Sequence, residues 1–134
     1  MAKRKGTVDI SGKRATQRRA LAQSTLAAPA EVVIAIRDDG LSKADPLAMA
    51  RAAGMLAAKA TPALIPHCHP IAVTGISFEF EFAETAVAVR CEVTANDRTG
   101  PEMEAMVGAA AAALTLYDMI KGITRGARIT ETRL

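Results

Sequence analysis

The sequence predicts an α+β sandwich, ferredoxin-like in its βαββαβ order, with an antiparallel sheet and the helices packed on one of its faces. Three observations carry this. Residues 71–82 and 85–94 are adjacent runs that alternate apolar and polar side chains, the period-2 pattern of half-buried strands. Two long segments, each opened by a proline (Pro46 and Pro101), read as helices. Residues 19–27 and 127–134 alternate as well and supply the first and last strands. The 134 residues suit one domain, taken as residues 8–134 behind a basic, solvated and mobile tail at 1–7.

Along the chain, residues 7–14 begin with a short apolar alternation and turn polar. Residues 31–37 (EVVIAIR) stay open: the β-branched run favours a strand, while Pro29 before and Asp38-Asp39-Gly40 after bracket a short helix equally well. Asp45 is placed as an N-cap with Pro46 at the first helical position, and this helix extends to Thr61-Pro62, with Leu47, Ala50, Met55 and Ala58 as its buried stripe. Ile65-Pro66-His67-Cys68-His69-Pro70 lies between two prolines and is not regular helix. Ile76, Phe78, Phe80 and Phe82 mark the core face of the next strand. Val87, Val89, Cys91 and Val93 mark that of its partner, with a hairpin at Ala83-Glu84. Residues 96–100 form a loop, and the helix from Pro101 runs to about Gly122, a C-terminal cap glycine.

Composition narrows the function classes. The net charge of +3 suits an anionic small molecule as well as nucleic acid. Aromatic residues are 3% of the chain, and the phenylalanines alternate with Glu79 and Glu81, which argues against a base-stacking RNA- or DNA-binding module. Alanine fills 29 of 134 positions, so close helix packing or subunit association must supplement a core of small side chains. No apolar run is read as approaching the roughly 18 residues of a membrane span, and no signal-peptide pattern follows the basic start. Cys68 and Cys91 make no disulfide framework. These features read as a soluble, cytoplasmic protein.

Four clusters carry potential chemistry. Lys43-Ala44-Asp45 precedes a helix, and a lone loop lysine such as Lys43 is usually a solvated charge. His67-Cys68-His69 lacks the spacing of a zinc site, so no metal is assigned; in extended backbone the two histidines point one way and Cys68 the other. Glu102 and Glu104 suit the positive end of a helix macrodipole, but two residues apart they point about 200° away from each other. Asp118 and Lys121, at i and i+3, form at least a surface pair. Glu102 and Asp118 are separated by roughly 24 Å along one helix, so one chain hardly supplies both to a single atom. Either they serve separate purposes or a site is shared between subunits. The helix face of Gly108, Ala109, Ala112 and Ala113 permits the close approach of a neighbour or a tight contact with the sheet. No glycine-rich phosphate loop is present; Arg18, Arg19, Lys43, Lys59, Arg98, Lys121 and Arg125 are scattered cations with no visible point of convergence.

Three blocks resemble the signatures of the MoaC family: Ile65-Pro-His-Cys-His-Pro-Ile71, Gly100-Pro-Glu-Met-Glu-Ala-Met106 and Ala113-Leu-Thr-Leu-Tyr-Asp-Met-Ile-Lys121. Val8-Asp9-Ile10-Ser11, Arg18, Lys43-Ala-Asp45 and the helix from Ala50 to Lys59 resemble its earlier motifs, so the likeness runs from residue 8 to about 134. It implies a ferredoxin-like domain and a homohexamer, a trimer of dimers with active sites at a subunit interface. It also implies conversion of (8S)-3′,8-cyclo-7,8-dihydroguanosine 5′-triphosphate, a product of GTP, to cyclic pyranopterin monophosphate and pyrophosphate, with no cofactor assigned.

By the same resemblance, Lys43, Asp118 and Lys121 are the catalytic centre, with a lysine whose pKa is lowered by a second cation exchanging protons and Asp118 orienting Lys121. His69, Glu102, Met103 and Glu104 hold the purine-derived base, carboxylates accepting from its donor edge, and Arg18 holds phosphate. The chain departs from the family pattern at Ala44 (usually glycine), Pro101 (usually aliphatic) and Arg98 (commonly lysine). The family continues into a Lys-Ser-Gly-Gly-Lys-Ser-Gly tail, whereas this sequence ends at Leu134. That difference supports a second expectation, a non-catalytic relative that binds a nucleotide or pterin or serves assembly.

Overall fold

A computed structural model describes residues 4–38 and 40–134. Residues 1–3 of the expected tail, and Asp39 of the expected Asp38-Asp39-Gly40 boundary, lie outside the described residues. The elements are β1 (Thr16–Ala27), α1 (Ala30–Arg37), α2 (Pro46–Lys59), α3 (Thr61–Leu64), β2 (Val73–Phe82), β3 (Ala86–Asp97), α4 (Glu102–Ile120) and β4 (Arg128–Arg133). The four strands form one sheet in the order β2-β3-β1-β4, and every neighbouring pair is antiparallel. This is the expected α+β arrangement, with four helices among the described residues where the sequence showed two clear ones.

Alternation decides the strands. Ala20, Ala22, Ser24 and Leu26 of β1 and Val87, Val89, Cys91, Val93 and Ala95 of β3 are buried, while the intervening side chains face outward. The half-buried Phe78, Phe80 and Phe82 extend this core across β2. On the opposite face the sheet is polar: Arg90 pairs with Glu81 at 2.5 Å and donates to Gln23 at 3.1 Å, and Arg19 reaches Glu92 at 3.8 Å.

The 31–37 segment is a helix. Its buried residues are Val32, Val33 and Ile36, an i, i+1, i+4 set that belongs to a helical face and not to a strand. In α2, Asp45 caps as expected, its carboxylate accepting from the backbone N–H of Leu47 and Ala48. The predicted stripe shifts, however. Pro46, Ala50, Gly54 and Ala58 are buried, whereas Leu47 and Met55 are only partly covered, because α2 lies so close to α4 that small residues must fill the line of contact. A Cβ on Gly54 would stand 2.9 Å from the carbonyl oxygen of Gly108, and one on Gly108 would stand 2.8 Å from Cys91 Sγ. Helix on helix and helix on sheet thus close over glycines.

Contrary to the expectation that no segment approaches membrane length, α4 is long and apolar enough by composition to cross a bilayer, with a mean hydropathy of 1.3. Half of that stretch is buried inside the domain, where Ala105, Ala109, Ala112, Ala113, Leu116 and Ile120 form the centre of the core. Its other side leaves Leu114 exposed, and Met49 and Leu56 of α2 and Leu64 of α3 are exposed as well.

Candidate active site

The two ends of α4 gather nearly all the residues singled out in the sequence. At its C-terminal end, Asp118 is on the last turn and Lys121 is the residue that closes the helix. Lys121 Nζ donates to Asp118 Oδ1 at 2.5 Å. From the loop before α2, Lys43 Nζ donates to the backbone carbonyl of the same Asp118 at 3.4 Å. Two ammonium groups separated by 78 positions (121 − 43) therefore meet on one residue. A depression of about 590 Å³ opens beside them, lined by Ala111, Leu114, Thr115, Tyr117, Asp118 and Lys121. A second, of about 270 Å³, lies between Lys43 and Met119, Gly122 and Ile123. All three charged side chains are exposed.

Electrostatics differ from the sequence expectation. The hydrogen bond from Lys121, then its charge and then that of Lys43, hold the Asp118 carboxyl below its usual range. Reciprocally, the hydrogen bond and charge of Asp118 raise the Lys121 ammonium above its ordinary value. A lysine lowered by a neighbouring cation was expected; the carboxylate between the two lysines reverses the sign for Lys121. This chain holds Lys121 as a firm cation.

At the N-terminal end, α4 starts beside the 65–70 segment. Glu102 and Met103 are exposed, Glu102 folding its carboxylate back over Gly100, where a Cβ would collide with it. Glu104 points the opposite way and is 1% exposed, accepting from Cys68 Sγ at 3.3 Å. The divergence expected of two carboxylates two positions apart is therefore realised, one in solvent and one in the core. A turn closed by the Cys68 N–H on the Ile65 carbonyl breaks the extended backbone expected for 67–69. His67 is exposed, while the half-buried His69 places Nε2 2.6 Å from the Val8 carbonyl oxygen.

Arg18 donates through Nε to the Asp97 carbonyl at 3.1 Å, and Arg98 to that of Lys13 at 3.1 Å. Asp97 was not singled out in the sequence, yet its carboxylate accepts from the backbone N–H of Ala72 at 2.9 Å and of Arg98 at 2.7 Å, and these bonds hold it below the ordinary carboxylate range. It ties the start of β2 to the end of β3. Of the scattered cations, Lys43 and Lys121 converge, Arg18 and Arg98 both adjoin Asp97, and Arg19 turns to the outer face of the sheet. Among the described residues, no three His, Cys, Asp or Glu side chains come together as a metal-holding group.

In one chain the two groups stand apart, separated by a 19-residue helix about 28 Å long. The lysine end offers charge for phosphates and a proton donor; the other end offers a carboxylate, an imidazole and an exposed thioether for a polar ring. The chain matches the MoaC family over residues 7–134. A cyclic pyranopterin monophosphate synthase of Streptomyces coelicolor is 45% identical over 127 residues, covering 95% of this chain and 75% of that relative. One of Pelobacter propionicus is 46% identical over 129 residues, covering 95% of this chain and 81% of its own. A protein named cyclic pyranopterin monophosphate synthase 2 in Mycobacterium tuberculosis is 46% identical over 127 residues, with 95% and 76% covered.

Proposed function

This chain belongs to the MoaC family, and we propose that it carries out the reaction its relatives are named for, as a lyase of molybdenum cofactor biosynthesis. The substrate is (8S)-3′,8-cyclo-7,8-dihydroguanosine 5′-triphosphate, and the products are cyclic pyranopterin monophosphate and pyrophosphate. The observation that carries this reading is the meeting of Lys43 and Lys121 on Asp118, beside an open depression. The relatives' names favour catalysis over a binding or assembly role.

Closing a cyclic monophosphate from a triphosphate makes a P–O bond at the α-phosphorus and breaks the bridge to the β-phosphate. The leaving pyrophosphate gathers negative charge, which fixed ammonium groups stabilise. Lys121, held cationic by Asp118, is the proton donor of the pair, and Lys43 is the second charge on the departing group. Arg18, His69, Glu102 and Met103 form the recognition end for the base and the nearer phosphate, with the buried Glu104 supporting them from the core. Joining that end to the lysines requires α4 of a second subunit, and the exposed Leu114, Leu56 and Met49 support such an assembly. The working form is a homohexamer, a trimer of dimers, of domains spanning residues 8–134; the GTP-derived substrate supports a cytoplasmic location.

The test is turnover. The purified chain is given the cyclised triphosphate, and pyrophosphate and an oxidisable, fluorescent pterin are followed. Product that disappears in Lys121→Ala supports the reading; a folded oligomer that yields none overturns it.

A further inference from the structure

Glu104 is the acidic side chain buried in the core among the described residues. Removing a carboxylate from water costs several kcal/mol unless it is paired or hydrogen-bonded. Here the partner is a thiol, Cys68, across 36 positions of sequence. Cys68 in turn sits at the closure of the 65–70 turn, its N–H on the Ile65 carbonyl at 3.0 Å. Its sulfur also lies 3.7 Å from the carbonyl oxygen of His69. The next side chain, His69, reaches out to the Val8 carbonyl. One hydrogen bond thus joins the first turn of α4 to the turn that presents a candidate base-binding imidazole.

We propose that the Cys68–Glu104 hydrogen bond is a clamp that seats the 65–70 turn on α4 and fixes where His69 stands, making Cys68 a positioning residue of the site. The clamp assigns the inward-facing Glu104 to holding this turn and leaves the exposed Glu102 and Met103 to meet the ligand. Its role in turnover rests on the synthase reading above. The thiol is a suitable donor for this bond. Burial, the hydrogen bond to Glu104 and the carboxylate's charge push Cys68 up to about 11, so at neutral pH it remains S–H and can donate.

Two measurements on the full chain test this. The first needs no turnover: alkylation of Cys68 by iodoacetamide at pH 8, followed by peptide mass spectrometry to separate it from Cys91. Burial persists in Glu104→Gln, but the carboxylate charge that adds to it is removed, and the rate should rise severalfold, up to about tenfold; an unchanged rate overturns the clamp. The second compares steady-state kinetics. Cys68→Ala should raise KM for the cyclic triphosphate about tenfold with kcat within about twofold, and Cys68→Ser, which restores a donor, should recover most of the loss. An unchanged KM in Cys68→Ala, or equal impairment of the serine and alanine variants, overturns the positioning role. Should the alanine variant not fold, the serine variant and the alkylation rate still decide the matter. A parent chain without turnover removes the synthase reading and leaves the first measurement intact.

Discussion

Gly54 of α2 and Gly108 of α4 meet backbone to backbone: a methyl group on Gly54 would stand 2.9 Å from the Gly108 carbonyl oxygen and collide with the Phe78 ring. Gly54→Ala gains about 1 kcal/mol of helix propensity but forces the helices apart, at about 1–3 kcal/mol. A net loss of up to about 2 kcal/mol in urea unfolding is expected. Gly122→Ala, where nothing lies within 4 Å of the added carbon, is the control and should not lose stability.

Lys121 should set the alkaline limb of the activity profile. A proton donor works only below its pKa, and Asp118 raises that value. Rate therefore falls as pH rises through it, and Asp118→Asn should move the fall to lower pH, reducing activity more at pH 9 than at pH 7. Lys121→Ala should lower kcat about 100-fold or more with the oligomer intact. A limb that stays in place in Asp118→Asn assigns it to another group.

A site divided between chains predicts complementation. Lys121→Ala and Glu102→Ala are each inactive alone, but mixed subunits of the two form some sites with both intact ends, up to about a quarter of the total at equal proportions. The assay is turnover after the two variants are unfolded, mixed and refolded together. A mixture no more active than its components places both ends in one chain.

Cys91 should make the domain sensitive to alkali. Burial raises its thiol from 9.0 to about 12. Between those values the unfolded chain loses the proton and the folded chain keeps it, so the folded state binds more protons and stability declines as pH rises. The thiol's contribution is complete below pH 9 and is lost progressively toward pH 12, at up to about 1.4 kcal/mol per pH unit. Urea unfolding at pH 7, 9 and 10 should show a steeper decline in the parent than in Cys91→Ala, whatever the variant's lower starting stability. Parallel declines would assign the effect to other groups.

Much of the sheet was legible because its signal is local. Ile76, Phe78, Phe80 and Phe82 alternate over seven residues, and the structure pairs Phe82 with Val87 across the expected hairpin. The segment 31–37 was not decided, because β-branched residues suit a strand and only burial of Val32, Val33 and Ile36 distinguishes the helix. Met55 fits the α2 stripe by hydrophobicity, yet Gly54 occupies the core line, because clearance depends on where α4 lies. The candidate site divided in the same way. Asp118 and Lys121 are neighbours by helical spacing alone, but Lys43 reaches them only through the tertiary fold. The Glu104–Cys68 contact and the Asp97 bonds join residues 36 and 25 positions apart, beyond any local pattern. The 200° divergence of Glu102 and Glu104 was the one readable hint that one carboxylate would be withdrawn from solvent.

The position of β1 also bears on how the domain comes into being. The first strand lies in the interior of the sheet, flanked by β3 and β4, neither adjacent to it in sequence. Residues 23–27 pair with residues 128–133, and the buried Ser24 hydroxyl meets the Glu131 carbonyl and the Thr132 hydroxyl at 3.3 and 3.0 Å. On the ribosome, β1 emerges early, yet one of its edges stays unsatisfied until residues 128–133 have cleared the exit tunnel. Closure over so long a loop is slow. Through that interval the nascent chain carries an open strand edge that invites pairing with other chains, so the time between synthesis of residues 23–27 and of residues 128–133 sets how long that edge stays exposed.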